Sequence, residues 1–268
     1  CLLQLALGNI GVSGGGANIF RGHDNVQGAT DIGPNPDSLP GYYGVAEGSF
    51  KHYAAVWGVD FEWIKKQYAP GMMTKPGMTV SRWIDGVMEK NELIDQESNL
   101  RGLFFWGHAP NSQTRGLEMK KAMDKLDLLV VVDPFPSATS AMAAMPGKAE
   151  DRNPNRAVYL LPATTQLEHL DVHTTYGHTD VLLNEPAIAP LGEALPNSEI
   201  FRRLAARLGF VEPCFADSDE QLARAALPSI DFELLRRQGF APLALAEAPF
   251  AQGGFPTADG RVLVDAPD

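Results

Sequence analysis

Residues 20–31, "FRGHDNVQGATD", combine side chains that could bind an anion or move a proton. The guanidinium of Arg21 could hold a carboxylate through paired, charge-assisted hydrogen bonds. His23 could relay a proton near neutral pH. The stretch has few apolar side chains and neither a helical nor a strand period, so the sequence predicts an irregular loop. Such a loop on a rigid scaffold often carries function; the alternative is a surface loop with one solvated arginine.

Three further polar segments each follow a predicted strand: "GHAPNSQTRG" (107–116), "DPFPSATS" (133–140) and "PATTQLE" (162–168). Ligands of open parallel sheets bind beyond the carboxyl ends of the strands, and two of these segments lead into helices whose free amides suit a diphosphate. Asp133 is placed to accept hydrogen bonds from a ribose or a guanine edge. The structural alternative is that Asp133 and Ser137 only cap a helix.

The elements that must position these residues alternate from residue 100 onward. Strands are predicted at "LRGLFFWG", "DLLVVVD" and "AVYLLPA", with helices at "SQTRGLEMKKAMDKL" and "SATSAMAAM" between them. This order predicts an α/β fold built on a parallel sheet. Neither GxGxxG nor GxxxxGK[ST] occurs, which disfavours an ordinary dinucleotide or P-loop enzyme.

The flanking regions are predicted to be helical and loop-rich. Before residue 100 we expect short helices at "LLQLALG" and over residues 80–90, with the Met and aromatic residues of 50–88 in the core. After residue 192 we expect helices at "NSEIFRRLAARLG" and "SDEQLARAAL", the second with a capping box formed by Ser218 and Gln221. Asp259 and Gly260 indicate a hairpin before a final strand.

Composition excludes several classes of protein. The 268 residues carry a formal charge of -11 with a pI near 5.0, which argues against nucleic acid or an anionic membrane as the main partner. Cys1 and Cys214 are the only cysteines, too few for a disulfide framework or a multi-cysteine metal site. No signal peptide or membrane-spanning run is apparent, and the compartment, cytoplasmic or periplasmic, stays open.

Four residues that suggest metal or thiol chemistry are interpreted as structural. His169, His173 and His178 are spaced by four and five residues, which does not match a helical HExxH pair, and no cysteine is near. Cys214 lacks a basic neighbour that would lower its pKa, so we expect a small packing residue.

The stretch "GNIGVSGGGANIFRGHDNVQGATDIGPNPDSLPGY" closely resembles molybdenum or tungsten formate dehydrogenases, whose catalytic subunits bind two molybdopterin guanine dinucleotides (bis-MGD). The stretch from "LRGLFFWG" to "SAMAAM" resembles their dinucleotide-binding half. From about Gln166 onward the chain is more similar to the wider molybdopterin oxidoreductase superfamily. The resemblance implies three regions: an active-site loop and helical segment (1–99), a Rossmann-like βαβ region that binds guanine dinucleotide (100–165), and an α/β continuation truncated before the cap domain (166–268).

The resemblance also implies roles for individual residues. Arg21 would orient formate beside the metal, and His23 would bond substrate, pterin or the metal ligand. The residues implied in cofactor binding are Gly22, Gly28, Gly107, His108, Asn111, Asp133, Ser137, Thr139 and Glu168; none is a metal ligand.

The family's [4Fe–4S] segment and its metal-ligating cysteine or selenocysteine have no counterpart in these residues, so we expect an interior, inactive piece of a longer catalytic subunit. Its partners would be formate or carbon dioxide, the rest of the subunit and electron-transfer subunits. Two alternatives stay open: a relative acting on nitrate, a sulfoxide or a similar oxyanion, and a non-catalytic dinucleotide-binding module.

Overall fold

The computed structural model describes the chain except residues 1, 18, 23–24, 34–37, 69–70, 72, 75–77, 95, 109–114, 146, 176–177 and 264–268, and except the side chain of residue 151. His23 and Asn111 therefore lie outside the described residues. No helix within the described part is long and apolar enough to cross a bilayer.

Residues before 95 form short helices and one small antiparallel ladder. The elements are α1 (Leu2–Ala6), α2 (Val26–Ile32), β1 (Ser38–Leu39), β2 (Tyr43–Gly44), α3 (Glu47–Trp57), α4 (Phe61–Lys66), α5 (Trp83–Met88) and α6 (Asn91–Ile94). Leu39, Phe50 and Ile64 anchor a buried cluster between α3, α4 and the ladder. The expected aromatic core is only partly correct, because Trp57 and Trp63 are 49% and 56% exposed on the outer faces of their helices.

The prediction of an irregular loop over residues 20–31 is wrong in its second half, where α2 forms. This helix ends at Gly33, which adopts the left-handed conformation (φ 76°) that closes many helices. The Nε2 atom of Gln27 donates to Asp31, four residues on, over 3.0 Å to Oδ1. Side-chain hydrogen bonds of Asn25 dock α2 on the rest of the chain.

The middle of the chain forms the predicted parallel sheet. Its elements are β3 (Gly102–Trp106), α7 (Gly116–Lys125), β4 (Leu128–Asp133), α8 (Ala138–Ala144) and β5 (Ala157–Pro162), with strand order β3-β4-β5. Strand β4 lies in the centre and is apolar on both faces, which is typical of buried parallel strands. Its last residue, Asp133, pairs with Pro162 of β5.

Each face of β4 supports a separate apolar cluster. Leu129 and Val131 belong to a core that also contains α7 and Trp83 of α5. On the other face, Val130 and Val132 pack with Trp106. The central strand β4 is therefore covered on both faces.

The last third contains an antiparallel sheet that the sequence did not indicate. The elements are β6 (Asp171–His173), β7 (Asp180–Asn184), α9 (Asn197–Leu208), α10 (Asp219–Ala226), α11 (Phe232–Gln238) and β8 (Phe240–Pro242), with strand order β6-β7-β8. Helix α9 covers the second face of the parallel sheet, where Phe201 stacks on Trp106 with ring centroids 4.3 Å apart.

Three local predictions for this region have different outcomes. The capping box at α10 is confirmed, since Gln221 N donates to Ser218 Oγ over 3.2 Å and Ser218 N donates to Gln221 Oε1 over 2.7 Å. The final strand is absent from the described residues up to 263, although Gly260 N closes a turn on Thr257 O. Cys214 is not a packing residue, because it is exposed in the 3-10 turn Pro213–Ala216.

Candidate functional site

The carboxyl edge of the parallel sheet brings together five of the predicted residues: Gly107, His108, Asp133, Ser137 and Thr139. Gly107 follows β3, donates its N–H to Val132 O over 3.0 Å and has a φ of 56°, which favours glycine. The buried Thr139, in the first turn of α8, donates its hydroxyl to His108 O over 3.0 Å. This bond ties the segment after β3 to the helix after β4.

Asp133 is the charged group of this sheet edge. Its Oδ1 accepts from Phe135 N over 3.2 Å, and its Oδ2 accepts from Ser137 Oγ over 2.8 Å. Ser137 occupies the N-cap position of α8, yet its side chain makes no capping bond, so its hydroxyl supports Asp133 instead. Each oxygen of a carboxylate can accept a second hydrogen bond, and the half-buried Asp133 therefore retains acceptor capacity.

A groove beside Asp133 has a volume of about 170 Å³. One wall is the turn 134–136 and the other is the end of β5, with Ser140 contributing a hydroxyl. The groove combines apolar walls with one acidic group at the end of a strand, a pattern common in ligand sites.

Arg21 lies away from this sheet edge, beside α2. Its Nη1 donates to Gln27 Oε1 over 2.7 Å and to the hydroxyl of Tyr42, and its guanidinium carbon lies 5.2 Å from the centre of the Tyr42 ring. The hydroxyl of Tyr42 in turn donates to Gln27 Oε1 over 3.0 Å. Arg21, Gln27 and Tyr42 therefore form a closed triangle of hydrogen bonds.

Helix α2 is fixed to strand β6 through Asn25. The Nδ2 atom of Asn25 donates to Val172 O over 3.3 Å, and its Oδ1 accepts from Thr174 N over 2.9 Å. Gly28 is buried against the same segment, and a Cβ atom at that position would overlap the Thr174 hydroxyl. Gly28 thus permits the close approach of α2 to the segment that follows β6.

A cavity of about 630 Å³ opens beside Arg21. Its polar lining includes Gln27 and Asp31 of α2 together with Thr174, Thr175 and His178, while Ile19, Leu243 and Leu245 contribute apolar surface. Asp180 N donates to His178 Nδ1 over 3.2 Å, which leaves Nε2 as the ring nitrogen that donates to Thr175 Oγ1 over 2.8 Å. The sequence carries no signal for this cavity, because its two polar walls, residues 21–31 and 174–178, are about 150 positions apart.

Glu168 lies neither at the carboxyl edge of the parallel sheet nor in the cavity beside Arg21. Its Oε2 accepts from the N–H and the hydroxyl of Thr165 over 2.7 and 2.8 Å, and its Oε1 accepts from Leu191 N over 2.7 Å. These hydrogen bonds, led by that from Thr165 N, lower the pKa of Glu168. The carboxylate joins two loops.

Gly22, next to Arg21 in the chain, is exposed, and a Cβ atom at that position would meet no heavy atom within 4 Å. His169 Nδ1 lies 2.9 Å from Thr164 Oγ1, a structural contact. Across the described residues, no three His, Cys, Asp or Glu side chains converge as a metal site.

Comparison with known proteins relates the chain to a group of oxidoreductases. The F420-dependent formate dehydrogenase subunit alpha of Methanocaldococcus jannaschii is 31% identical over 211 residues, covering 78% of this chain and 26% of that protein. The chain is related to formate dehydrogenases. The predicted resemblance is thereby confirmed.

Two other relatives carry provisional names. A formate dehydrogenase of Staphylococcus haemolyticus is 29% identical over 77% of this chain and 18% of that protein, and the oxidoreductase YoaE of Bacillus subtilis is 31% identical over 63% and 24%. This formate dehydrogenase-related chain thus spans between 18% and 26% of the length of these relatives. No protein-family model matches it. Acetylene hydratase from Pelobacter acetylenicus has a TM-score of 0.49 and 20% identity over 67% of this chain and 23% of that one.

Proposed function

We propose that this chain is part of the catalytic subunit of a molybdenum- or tungsten-dependent formate dehydrogenase, which oxidises formate to carbon dioxide or catalyses the reverse reaction. The observation that carries the proposal is the similarity to the M. jannaschii alpha subunit over 78% of the chain. The electrons would pass to an iron–sulfur chain and then to partner subunits. The regions 1–99, 100–165 and 166–268 would serve as active-site segment, dinucleotide-binding region and superfamily-like continuation.

The sheet edge suits the guanine dinucleotide part of the cofactor. Guanine presents N–H donors, and the acceptor capacity of Asp133 would bind them, with Ser137 holding the carboxylate in place. Gly107, His108 and Thr139 would complete this pocket together with Asn111. When bound, the metal of the cofactor would accept the electrons removed from formate.

Arg21 would hold the substrate. A guanidinium matches a planar carboxylate in shape and charge. Within the described residues, Nη1 is the nitrogen of the Arg21 guanidinium that has hydrogen-bond partners. His23 would bond the substrate or cofactor, and Gly22 and Gly28 would let the backbone pass close to the pterin. Glu168 would act near the cofactor only through the loops it joins.

The other parts of the reaction centre would come from the rest of the subunit. These are a [4Fe–4S] cluster and the cysteine or selenocysteine that binds the metal. The enzyme would work in the cytoplasm or the periplasm. The isolated chain would be inactive.

A second candidate function is oxyanion reduction, of nitrate or a sulfoxide, by the same kind of enzyme. It is favoured by the hydroxyl groups of Thr174 and Thr175 in the cavity beside Arg21, which suit an oxyanion as well as a carboxylate. A non-catalytic dinucleotide-binding module is the third.

The test is purification of the full-length subunit that contains this chain, followed by measurement of molybdenum, tungsten and released guanine nucleotide. Formate, nitrate and a sulfoxide are then compared in dye-linked assays, with the isolated chain as control. We expect the full-length subunit to contain stoichiometric metal and to turn over formate, and the isolated chain to do neither. Turnover with only nitrate or the sulfoxide would select the second candidate, and absence of metal and of any turnover would select the module.

A further inference from the structure

Gln27 stands between the cation and the nearest carboxylate of the Arg21 cavity. Its Nε2 donates to both oxygens of Asp31, over 3.0 and 3.2 Å, and its Oε1 accepts from Arg21 and Tyr42. Because the amide nitrogen can only donate, the carboxylate fixes the orientation of the amide. The oxygen is therefore the atom presented to Arg21.

We propose that Gln27 is a positioning residue that orients Arg21 while keeping the charge of Asp31 off the guanidinium, so that Arg21 remains available to a small monoanion. The inference rests on the proposed function in one respect: Arg21 is the group that meets the substrate.

Direct pairing of Arg21 with a carboxylate of the protein would make the guanidinium less available to an anionic ligand. A guanidinium and a carboxylate at hydrogen-bond distance attract strongly, and an incoming anion would have to replace that partner and leave a carboxylate unpaired. The Gln27 amide supplies the same acceptor geometry with no net charge. Arg21 is thus held by one of its nitrogens, and within the described residues its Nε and Nη2 have no hydrogen-bond partner.

Tyr42 provides independent support for a constrained arginine. It is one of three non-glycine residues with positive φ among the described residues, at 70°, a conformation that side chains other than glycine rarely adopt. This backbone directs the Tyr42 ring under the guanidinium and its hydroxyl to Arg21 and Gln27. Strained conformations of this kind cluster at ligand sites.

The class of ligand follows from the rest of the cavity. Asp31 is the acidic side chain of the lining and is bonded to Gln27, while Thr174 and Thr175 contribute uncharged hydroxyl groups. One available cation among neutral donors suits a singly charged carboxylate or oxyanion. Formate and nitrate are therefore suitable probes.

The test separates the position of a negative charge from its amount, using the full-length enzyme. Gln27→Glu keeps the acceptor but puts a carboxylate on Arg21, and Asp31→Asn keeps an acceptor for Gln27 and removes the distant charge. The double variant Gln27→Glu/Asp31→Asn has the wild-type net charge, moved next to Arg21. We expect Gln27→Glu and the double variant to raise the KM for formate at least about tenfold, with kcat changed less than about threefold.

Two further readouts distinguish positioning from damage to the fold. For Gln27→Glu the KM should fall toward the wild-type value as pH is lowered and the introduced carboxylate takes up a proton. Asp31→Asn, which keeps an oxygen acceptor for Gln27, should raise KM much less than Gln27→Glu does. A double variant with wild-type KM, or an Asp31→Asn variant as impaired as Gln27→Glu, would overturn the inference.

An activity-independent measurement keeps the inference and the proposed function apart. Formate and nitrate, at constant ionic strength, should raise the Tm of the wild type and of Asp31→Asn but not of Gln27→Glu. If these Tm shifts occur but formate is not turned over, the proposed function is wrong and the role of Gln27 stands. If formate is turned over with an equal KM in all variants, the proposed function stands and the role of Gln27 is wrong. If Gln27→Glu does not fold, uncharged Gln27→Met replaces it, and an unchanged KM in that variant would count against positioning.

Discussion

The hydroxyl of Ser137 donates to Oδ2 of Asp133 over 2.8 Å, across the turn that joins β4 to α8. A serine at the N-cap position of a helix would ordinarily accept a hydrogen bond from the first turn, which this one does not do. The hydroxyl instead fixes the carboxylate at the edge of the sheet. Asp133 is therefore pre-oriented before any ligand arrives.

Substitution of Asp133 should separate ligand binding from stability. In the full-length enzyme, Asp133→Ala should lower guanine-dinucleotide content several-fold while reducing the free energy of unfolding by only about 1–2 kcal/mol, since it removes two hydrogen bonds of a half-buried group. Nucleotide release assays and denaturant unfolding measure the two effects. Ser137→Ala is the control and should lose less cofactor. Full cofactor content with a large fall in Tm would assign Asp133 a purely structural role.

Substitution of Arg21 should separate geometry from charge. Arg21→Lys retains the positive charge but loses the planar fork and its contact with the Tyr42 ring. We expect a loss of at least about 2 kcal/mol in transition-state stabilisation, roughly thirtyfold in kcat/KM for formate, at intact metal content. Arg21→Ala should be worse, because nothing would then offset the charge of the substrate. Near wild-type kinetics of the lysine variant would remove Arg21 from the site.

Gly28→Ala offers a test in which helix propensity and packing predict opposite signs. Alanine in a helix is favoured over glycine by about 1 kcal/mol, but a methyl group at Gly28 would overlap Thr174 and Asn25. We expect a net destabilisation of about 1–3 kcal/mol in denaturant unfolding, because the contacting atoms belong to the docked segment itself. Gly48→Ala in α3, where nothing lies within 4 Å, is the matched control and should stabilise. A stabilised Gly28→Ala variant would show that α2 is not docked in this way.

Glu168 should give a pH-dependent contribution to stability. Hydrogen bonds from Thr165 and Leu191 lower the pKa of Glu168 in the folded state, so its contribution is complete above the unfolded-state pKa of about 4.3 and is lost as pH falls through the lower, folded-state pKa. Glu168→Gln should therefore destabilise the protein at pH 7 and differ less from the wild type in acid. Unfolding curves between pH 7 and the acid limit of folding measure this. A difference independent of pH would contradict the role of the charge.

The parallel sheet and much of its edge could be predicted from sequence because their signals are local. An apolar run such as that of β4 is readable without knowledge of its neighbours, and the carboxyl ends of parallel strands necessarily meet at one edge. That logic brought Asp133 and Gly107 together correctly. The local pattern did not indicate that the Ser137 hydroxyl bonds Asp133. A serine between a strand and a helix is equally compatible with capping α8.

The sequence by itself determined the β-α-β alternation, the capping box of α10 and the kinship with formate dehydrogenases, all of which are encoded in runs of neighbouring residues. The tertiary structure alone decided that residues 26–32 form a helix, that β6, β7 and β8 pair, and that Arg21 shares a cavity with His178. Asn25 and Thr174 are 149 positions apart, and their hydrogen bond is what docks α2. Contacts of that kind leave no periodic trace in the chain, since their free energy is gained only after distant segments have met.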